Sequence, residues 1–502
     1  MELLHKLAEL RAAGGRALCH GLDEASLGDF ANDADLIAAV DEAVTAFARL
    51  KAEMPEFVAL DEPAQIQRAQ AGFVNFYADD AVNPYIALAA RGPWLVTLKG
   101  AVLHDNGGYG MLGFGHAPQP VIDAMARHQV MANVMTPSVA QLRFDAALRR
   151  EIGHTRGGCP YSHFLCLNSG SEAVSLAGRF ADVNTKLMTD PGAPHAGHTV
   201  QRIAVKGAFH GRTELPAQYS DSSRKIYTQH LGSYQHPATQ LLTIEAYNVA
   251  QLRQTFADAE RESRHIEAMF IEPVMGEGDP GRALTPAFYQ AARELTQAHG
   301  TLLLVDSIQA GLRAHGVLSI VDYPGFEGLE APDMETYSKA LNAGHYPLSV
   351  LAVNARTAAL YRKGIYGNTM TSNPRALDVA CTALGMLTPR MRENIRARGR
   401  EFLLKFDQLK DELPGLITKV QGTGLLLSCE LAPQFKCYGA GSTEEWLRLH
   451  GIGVIHGGAN SLRYTPHFNV SSGEIDLIVA QVRRALLEGP RLQQQAGARA
   501  AA

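Results

Sequence analysis

The sequence predicts an α/β fold with a mostly parallel sheet in its larger domain. Between residues 160 and 355, short apolar runs alternate with helical stretches, and each run is apolar along most of its length. Strands buried on both faces have this pattern, and the helices between them supply the crossover connections of a parallel sheet. We expect strands at 164–167, 203–205, 269–271, 302–305, 334–337 and 349–353.

The N-terminal segment, residues 1–90, is expected to form a helical extension. Asn32 or Asp33 can cap a helix in which Leu36, Val40 and Phe47 recur at helical spacing. The segment carries no chemical motif. We expect it to pack against the main body or a partner subunit, and a separate binding function is the alternative.

The remaining domain boundaries follow from changes in this pattern. We assign 91–155 to the N-terminal part of a small domain with a linker helix, and 156–375 to the large domain. Residues 376–490 are predicted to form a smaller α+β domain, because two helices precede short strands near 420–430 and 453–464. Residues 491–502 are rich in glutamine and alanine and are expected to form a flexible tail.

Composition and charge exclude several classes of protein. The net charge of −5 over 502 residues is small, and no Lys/Arg-rich run is present, so a nucleic-acid or anionic-membrane surface has no electrostatic support. The six cysteines show no C-x-x-C pair and no metal-ligand spacing with histidine, which favours a reducing compartment and no metal. Charged residues interrupt the N-terminal leucines, and no apolar run approaches the roughly 20 residues of a membrane span. We expect a cytoplasmic protein whose partners are small molecules, with no nucleic acid and no membrane.

A possible anion site follows the first predicted strand of the large domain. The motif Asn168-Ser169-Gly170-Ser171-Glu172-Ala173 opens a helix. Gly170 allows close approach of the backbone, and the free N–H groups of the helix start, with the Ser171 hydroxyl, can hold a phosphate. A Ser-Gly-Ser helix cap without a ligand is the alternative.

Three further strand ends carry ionisable side chains. Lys339 follows an apolar strand, where partial desolvation favours a neutral amine, although a surface lysine is the alternative. Asp306 ends the apolar run 302–305 and needs a cationic partner, which a pyridinium, an arginine or a helix N-terminus can supply. Glu272 follows the strand at 269–271. Pyridoxal phosphate (PLP) is a cofactor that needs a lysine, a carboxylate and a phosphate cradle together.

Five motifs in this order resemble those of the class III aminotransferases, the fold type I group that includes ornithine, acetylornithine and 4-aminobutyrate aminotransferases. The resemblance spans roughly residues 84–485. The motifs are Asn168 to Ala173, Phe209-His210-Gly211-Arg212-Thr213, Glu272-Pro273-Val274-Met275-Gly276-Glu277-Gly278, Asp306-Ser307-Ile308-Gln309-Ala310-Gly311 and Ser338-Lys339.

The resemblance implies a role for each cofactor-binding residue. Lys339 would form a Schiff base with PLP, and Asp306 would pair with the pyridine nitrogen. Phe209 would stack on one face of the ring and Ile308 would pack on the other. The further implied contacts are Gln309 near the phenolic oxygen, Gly170 and Ser171 at the phosphate, and Ser169, His210 and Glu272.

The resemblance also implies a homodimer with shared active sites. The segment 367–374 looks like the family segment whose threonine, here Thr369, reaches the phosphate of the neighbouring subunit. For the substrate, Arg463 would bind an α-carboxylate, a task suited to a planar bidentate fork. Glu277 would pair with that arginine when an ω-amino substrate is bound. Tyr109 falls where ornithine aminotransferase has a substrate-facing tyrosine, and the small-domain core is its alternative place.

The chain departs from the family pattern close to the ring-binding residues. Ser307 stands where the family usually has glutamate, and Met275 replaces a common glutamine. The stretch 312–316 lacks the usual Gly-Arg-Thr. These changes leave the cofactor contacts intact and alter the polar network around them.

The resemblance thus implies a PLP-dependent aminotransferase that moves an amino group from an amino acid or ω-amine donor to an oxo acid, 2-oxoglutarate held by Arg463. Lys339 would act as base and then as acid. Two alternatives are a PLP-dependent aminomutase or epimerase of the same fold and a non-catalytic PLP-binding partner protein.

Overall fold

A computed structural model describes residues 2–234 and 241–492. The chain forms two compact units, one of Met1–Gln119 with Ala397–Ala502 and the other of Pro120–Arg396. We call them unit 1 and unit 2. Most of the predicted flexible tail, from residue 493 on, lies outside the described residues. Within the described ranges, no helix combines the length and apolar character of a membrane span.

The helices, in chain order, are α1 Glu2–Arg11, α2 Glu24–Asp29, α3 Ala34–Glu53, α4 Pro55–Val58, α5 Glu62–Gln70, α6 Gln119–Ala126, α7 Val139–Glu151, α8 Gly170–Thr189, α9 Glu214–Ala217, α10 Arg224–His230, α11 Val249–Arg261, α12 Pro286–Ala298, α13 Ala355–Ala358, α14 Pro374–Gly385, α15 Pro389–Glu412, α16 Thr443–Leu449 and α17 Ser472–Glu488.

The strands, in chain order, are β1 Ala87–Arg91, β2 Trp94–Thr97, β3 Val102–Asp105, β4 His163–Leu167, β5 Thr199–Val205, β6 Leu241–Ile244, β7 Arg264–Ile271, β8 Leu302–Asp306, β9 Met334–Tyr337, β10 Ser349–Val353, β11 Ile417–Thr423, β12 Leu426–Leu431, β13 Ile452–Gly453, β14 Ile455–Gly457 and β15 Ser461–Tyr464.

Unit 2 is built on a seven-stranded sheet of order β4-β10-β9-β8-β7-β5-β6. The pairs β9–β8, β8–β7, β7–β5 and β5–β6 are parallel, and β10 runs antiparallel to both of its neighbours. The mostly parallel α/β sheet is therefore confirmed. All six predicted strands form, and β6 is a further strand that the pattern did not reveal.

Burial explains why the central strands could be recognised. The side chains of β8 from Leu302 to Val305 are fully buried, as are those of Met269, Phe270 and Ile271 in β7. A strand in the middle of such a sheet has helices over both faces, so apolar residues occupy every position instead of alternate ones. The strands β4, β5, β7, β8 and β9 end at the same edge of this sheet. The α/β folds bind their ligands at this edge.

Unit 1 contains two four-stranded sheets, β1-β2-β3-β13 and β11-β12-β15-β14. In the N-terminal segment α3 has the predicted cap, because Asp33 Oδ1 accepts a hydrogen bond from Leu36 N at 2.9 Å. The last helix of this segment, α5, ends at Gln70, before Gly72, and β1 begins at Ala87.

A buried lysine fixes the N-terminal helices within unit 1. Lys99 is 4% exposed and donates to three backbone carbonyls, those of Gly14 and Leu60 at 2.6 Å and that of Val58 at 3.1 Å. Burial lowers the pKa of Lys99. One ammonium group thus ties the turn after α1 and the end of α4 to the hairpin between β2 and β3.

A second buried polar cluster joins β3 to the C-terminal helix of unit 1. Glu474 Oε1 lies 3.0 Å from His104 Nε2 and 2.7 Å from His467 Nε2, while Glu474 Oε2 accepts from Ser471 N at 2.7 Å and completes the capping box of α17. Burial opposes ionisation, but the hydrogen bonds from the two imidazoles hold the pKa of Glu474 far below its usual range. The three ligand atoms lie within 4.8 Å of one another, a spacing that a metal ion can also use, but hydrogen bonding and helix capping account for the arrangement.

Candidate active site

Five strands of unit 2 lead into one cavity. β4, β5, β7, β8 and β9 deliver Ser169, Phe209, Glu272, Asp306 and Lys339 from their carboxyl ends. The cavity has a volume of about 180 Å³ and is lined by Ser169, Gly170, Ser171, Phe209, His210, Gly211, Glu272, Asp306, Ile308, Gln309, Ser338 and Lys339. The structure therefore brings together all the predicted cofactor-binding residues except Thr369.

The start of α8 forms one wall of this cavity. Ser169 and Glu172 form a capping box, in which Ser169 Oγ accepts from Glu172 N and Glu172 Oε2 accepts from Ser169 N, each at 3.3 Å. A Cβ atom at Gly170 would lie 2.7 Å from the Cδ1 atom of Ile308, so a side chain at this position would displace Ile308, which lines the same cavity. The start of a 20-residue helix therefore lies at the wall of the cavity, at a glycine that packs closely against Ile308.

Asp306 is buried and held in one orientation by three donors. Its Oδ1 accepts from Ile308 N at 3.2 Å and from Thr336 Oγ1 at 3.0 Å, and its Oδ2 lies 2.9 Å from Nδ1 of His210. Asp306 is 5% exposed and His210 is 2% exposed. A carboxylate has about four acceptor sites, so Asp306 can accept one further N–H donor.

Glu272 is a second buried carboxyl group in the cavity. Its oxygens accept from Phe209 N at 3.1 Å and from Gly276 N at 2.9 Å. Burial raises the pKa of Glu272 to about 7, with the negative charge of Asp306 acting in the same direction and His210 and the two N–H donors acting against it. The protonation state of this group therefore changes in the neutral range.

Lys339 has a backbone conformation that is rare for a side chain other than glycine. Its φ angle is 53°, in the left-handed region, and it begins a short 3₁₀ turn directly after β9. Such a conformation is unfavourable for an L-residue and persists where the surrounding structure enforces it, which is common at functional sites. Here it places a half-buried lysine on the same cavity as Asp306.

Thr369 lies apart from this cavity within the chain. It lines a different cavity of about 560 Å³, together with residues of the 129–143 segment. Its neighbour Asn368 donates from Nδ2 to Glu172 Oε1 at 2.9 Å, which ties the segment 367–374 to the start of α8. The predicted contact of Thr369 with a partner subunit stays a prediction.

The predicted substrate residues fall in both units. In unit 1, Arg463 of β15 is 1% exposed and its guanidinium carbon lies 5.3 Å from the ring centre of Tyr109. Tyr109 also stacks on Tyr77 with 6.1 Å between ring centres. Glu277 follows β7 in unit 2, and its predicted pairing with Arg463 stays a prediction.

Sequence reasoning missed a polar network behind Asp306. Glu335 of β9 is fully buried, and its carboxylate accepts from the hydroxyl groups of Ser307, Ser319 and Tyr161 at 2.5, 2.5 and 2.6 Å. Burial raises the pKa of Glu335. Two signals in the sequence pointed to it: the departure at Ser307 and a glutamate inside a strand that was predicted to be buried.

A family model described as "Aminotransferase class-III" matches residues 76–486. The chain belongs to the class III aminotransferases. The resemblance inferred from the five motifs is thereby confirmed, as are PLP as the cofactor, the fold type I architecture and transamination as the reaction.

Several named aminotransferases are similar to this chain. Succinylornithine transaminase of Citrobacter koseri is 28% identical over 79% of this chain and 91% of its own length. Acetylornithine aminotransferase of Xanthomonas axonopodis pv. citri is 28% identical over 65% of this chain and 74% of its own. Among solved structures, ornithine aminotransferase of Toxoplasma gondii ME49 has a TM-score of 0.72 and 21% identity, covering 87% of this chain and 98% of that one.

The residues of this class III aminotransferase fit PLP by their own chemistry. Asp306 has an acceptor site to offer a pyridine N–H, and the start of α8 offers N–H groups to a phosphate. An aromatic side chain, Phe209, and an aliphatic one, Ile308, line the same cavity and can flank a flat ring. Lys339 supplies the amine.

Proposed function

We propose that this aminotransferase moves the amino group of an amino acid or ω-amine donor to an oxo acid, with Lys339 and Asp306 as its catalytic residues. The observation that carries the proposal is that one cavity joins Lys339, the hydrogen-bonded Asp306 and the start of α8. When bound, PLP supplies an aldehyde that takes up the amino group and a ring that withdraws negative charge.

The protein residues hold that cofactor and move protons. Asp306 Oδ2, supported by His210, keeps a proton on the pyridine nitrogen, because a buried carboxylate favours a cationic neighbour. The N–H groups and hydroxyl of the Gly170-Ser171 turn would hold the phosphate, and Gln309, which lines the same cavity, would contact the phenolic oxygen. The Nζ atom of Lys339 first accepts the proton from the donor carbon and then delivers it as an acid.

The substrate carboxylate is assigned to Arg463. A buried guanidinium against the Tyr109 ring can bind a carboxylate through two parallel hydrogen bonds. We propose that Arg463 binds the α-carboxylate of the donor and of 2-oxoglutarate, with Tyr109 shaping the donor site, and that Glu277 pairs with Arg463 when an ω-amine is bound. The succinylornithine and acetylornithine transaminases among its relatives support a donor of the ornithine type.

The first experiment tests the lysine and the reaction together. Borohydride reduction of the PLP-loaded protein, followed by peptide mass spectrometry, is expected to find the cofactor mass on the Lys339 peptide. A Lys339→Ala variant is expected to bind PLP without that covalent link and to lose turnover. Lys206→Ala, which removes an exposed lysine paired with Glu245, is the control and should keep both. Label on another lysine, or transamination at a normal rate by Lys339→Ala, would contradict the assignment.

The product analysis separates the reaction subtypes. With an ornithine-type donor and 2-oxoglutarate, a transaminase releases a new oxo product and consumes the 2-oxoglutarate. An aminomutase or epimerase would convert the donor without consuming 2-oxoglutarate.

We further propose a homodimer in which Thr369 reaches the partner's phosphate site. The cavity that Thr369 lines is bordered by a stretch with unusually exposed apolar side chains. They are Val130 (77% exposed), Met135 (81%), Val139 (64%), Leu142 (71%) and Met370 (56%). A surface of this kind is typical of one that a partner covers.

Subunit mixing tests the shared site. Thr369→Ala is expected to weaken PLP binding roughly tenfold, the loss of one hydrogen bond to a charged group. In a mixed dimer of Lys339→Ala and Thr369→Ala chains, one site would contain both Lys339 and the partner's threonine. We therefore expect mixing to restore wild-type PLP affinity at one site per dimer. A monomer in analytical ultracentrifugation, or no recovery on mixing, would contradict the shared site.

We also propose a cytoplasmic location. The support is that all six cysteines are free in the structure, which suits a reducing compartment. Fractionation of cells expressing the native protein tests it, and enrichment outside the cytoplasm would contradict it.

A further inference from the structure

The carboxylate of Glu335 gathers donors from three separate parts of unit 2. Ser307 Oγ and Ile320 N donate to Oε1 at 2.5 and 2.9 Å, and Ser319 Oγ and Tyr161 OH donate to Oε2 at 2.5 and 2.6 Å. The side chain is fully buried within the described structure. An apolar residue would be the ordinary occupant of such a strand position, so the presence of a fully hydrogen-bonded carboxylate here requires a reason.

The register of two strands connects this carboxylate to the candidate catalytic aspartate. β8 and β9 are parallel, with Val305 opposite Glu335 and Asp306 opposite Thr336. Successive residues of a strand point to opposite faces, so Thr336 and Glu335 act on opposite sides of the sheet. Thr336 Oγ1 donates to the carboxylate of Asp306, and Glu335 accepts from the next residue of the chain, Ser307.

The backbone at this point is held as well. Ser307 N donates to Thr336 O at 3.1 Å, which extends the β8–β9 pairing one residue beyond Asp306. The Asp306-Ser307 peptide is therefore fixed by β9 through a side chain on one face, a backbone bond in the sheet and a side chain on the other face. Rotation of this peptide would move the Asp306 carboxylate.

We propose that Glu335 is a positioning residue, which fixes the Asp306-Ser307 peptide and so aims the Asp306 carboxylate at the pyridine nitrogen of PLP. Ser307 stands where class III aminotransferases usually have a glutamate, and here the carboxylate comes from the neighbouring strand instead. The Ser307 hydroxyl links this carboxylate to the peptide that follows Asp306. This inference rests on the proposed role of Asp306.

Three variants test the role of Glu335. Glu335→Val removes the carboxylate, and Glu335→Gln keeps the size of the side chain. The double variant Ser307→Glu with Glu335→Val places a carboxylate at the residue that follows β8. Glu267→Gln is the matched control, because Glu267 is a buried glutamate of the same sheet that accepts a tyrosine hydroxyl, that of Tyr219, at 2.7 Å.

Three quantities are measured on each variant. The first is the dissociation constant for PLP, titrated into the cofactor-free protein. The second is the pH midpoint at which the absorbance of bound PLP changes. The third is the Tm of the cofactor-free protein. Only the first two depend on the aim of Asp306, since a merely structural role would change Tm alone.

We expect Glu335→Val to weaken PLP binding roughly tenfold or more, as misplacement of a binding group does, and to shift the absorbance midpoint. The double variant should recover most of both losses. Glu267→Gln should lower Tm and leave PLP affinity and the midpoint unchanged. If Glu335→Val does not fold, Glu335→Gln replaces it. We expect Glu335→Gln to change the PLP affinity and the absorbance midpoint in the same direction as Glu335→Val, but by less.

Two outcomes would overturn the inference. One is a Glu335 variant that loses Tm but keeps both PLP affinity and the absorbance midpoint. The other is a double variant that recovers Tm without recovering the midpoint. Asp306→Asn is measured alongside, so that failure of this inference can be told from failure of the proposed function. If neither Asp306→Asn nor the Glu335 variants shift the absorbance midpoint, the role of Asp306 is wrong. If Asp306→Asn shifts the midpoint and the Glu335 variants do not, only the role of Glu335 is wrong.

Discussion

At the scale of single residues, the cavity of unit 2 contains two buried carboxyl groups. Asp306 and Glu272 are both at most 5% exposed and line the same cavity. Asp306 accepts hydrogen bonds from Ile308 N and from the hydroxyl group of Thr336, while burial raises the pKa of Glu272 to about 7. Two carboxyl groups in one cavity therefore have different hydrogen-bond partners.

Glu272 predicts a pH dependence of the cofactor-free protein. Its folded pKa of about 7 lies above the unfolded value of about 4.3. In this window the folded state binds more protons, so the free energy of unfolding falls as pH rises through 7. We expect Tm of the cofactor-free protein to fall between pH 5 and pH 8, and Glu272→Gln to flatten the profile. Thermal unfolding at constant ionic strength tests this, and a Glu272→Gln profile that matches the wild type would show that another group is responsible.

Gly170 predicts a loss of cofactor affinity without loss of fold. In Gly170→Ala the new Cβ would lie 2.7 Å from Ile308 Cδ1, so Ile308, which lines the cavity, must shift. We expect PLP affinity to fall roughly tenfold, or about 1.4 kcal/mol, with a small change in Tm. Gly385→Ala is the control, since a Cβ there meets nothing within 4 Å. Equal PLP titration curves for Gly170→Ala and wild type would contradict the phosphate-cradle assignment.

At the scale of elements, two buried charged side chains hold the N-terminal helices of unit 1 in place. Glu62, at the start of α5, is fully buried and accepts from Leu18 N at 2.7 Å and Cys19 N at 2.8 Å. Lys99 caps the carbonyls that follow α1 and α4. Hydrogen bonds from buried side chains therefore hold the N-terminal helices within unit 1.

Lys99→Met is expected to release the extension locally. The substitution keeps the length of the side chain but leaves the buried carbonyl of Val58 and the partly buried carbonyls of Gly14 and Leu60 without this donor. An unsatisfied buried carbonyl costs about 1–3 kcal/mol. We expect faster hydrogen exchange in residues 2–60 and earlier proteolysis there. Lys225→Met, at an exposed position of α10, is the control. Unchanged exchange in Lys99→Met would mean that apolar packing alone holds these helices.

At the scale of the whole molecule, the apolar surface beside Thr369 is the feature that a single chain does not explain. Met135 is 81% exposed and Val130 is 77% exposed. Isolated exposed apolar residues are ordinary, but several along one short stretch indicate a covered surface. Assembly is therefore part of the proposed active site.

Met135→Glu is expected to weaken the dimer. A charge placed in a desolvated interface carries a penalty of several kcal/mol, on the order of that for an unpaired buried ion. Analytical ultracentrifugation should find a larger monomer fraction, with weaker PLP binding if Thr369 acts across the interface. Leu404→Glu, at a 58% exposed position of α15, should remain as wild type. A dimer of unchanged strength in Met135→Glu would place the interface elsewhere.

The sequence by itself determined six of the seven strands of the large sheet, the order of the five motifs and most of the residues that line the cavity of unit 2, because local apolar runs and short motifs report on strand ends directly. The domain bounds, the role of Arg463 with Glu277 and the place of Thr369 remain predictions. Only the tertiary structure decided that Glu335 supports Ser307 and that His104 and His467 meet Glu474. Ser307 and Glu335 lie 28 residues apart in the sequence, and His104 and Glu474 lie 370 residues apart. Contacts between distant segments depend on strand register and helix placement, which no local pattern of residues encodes.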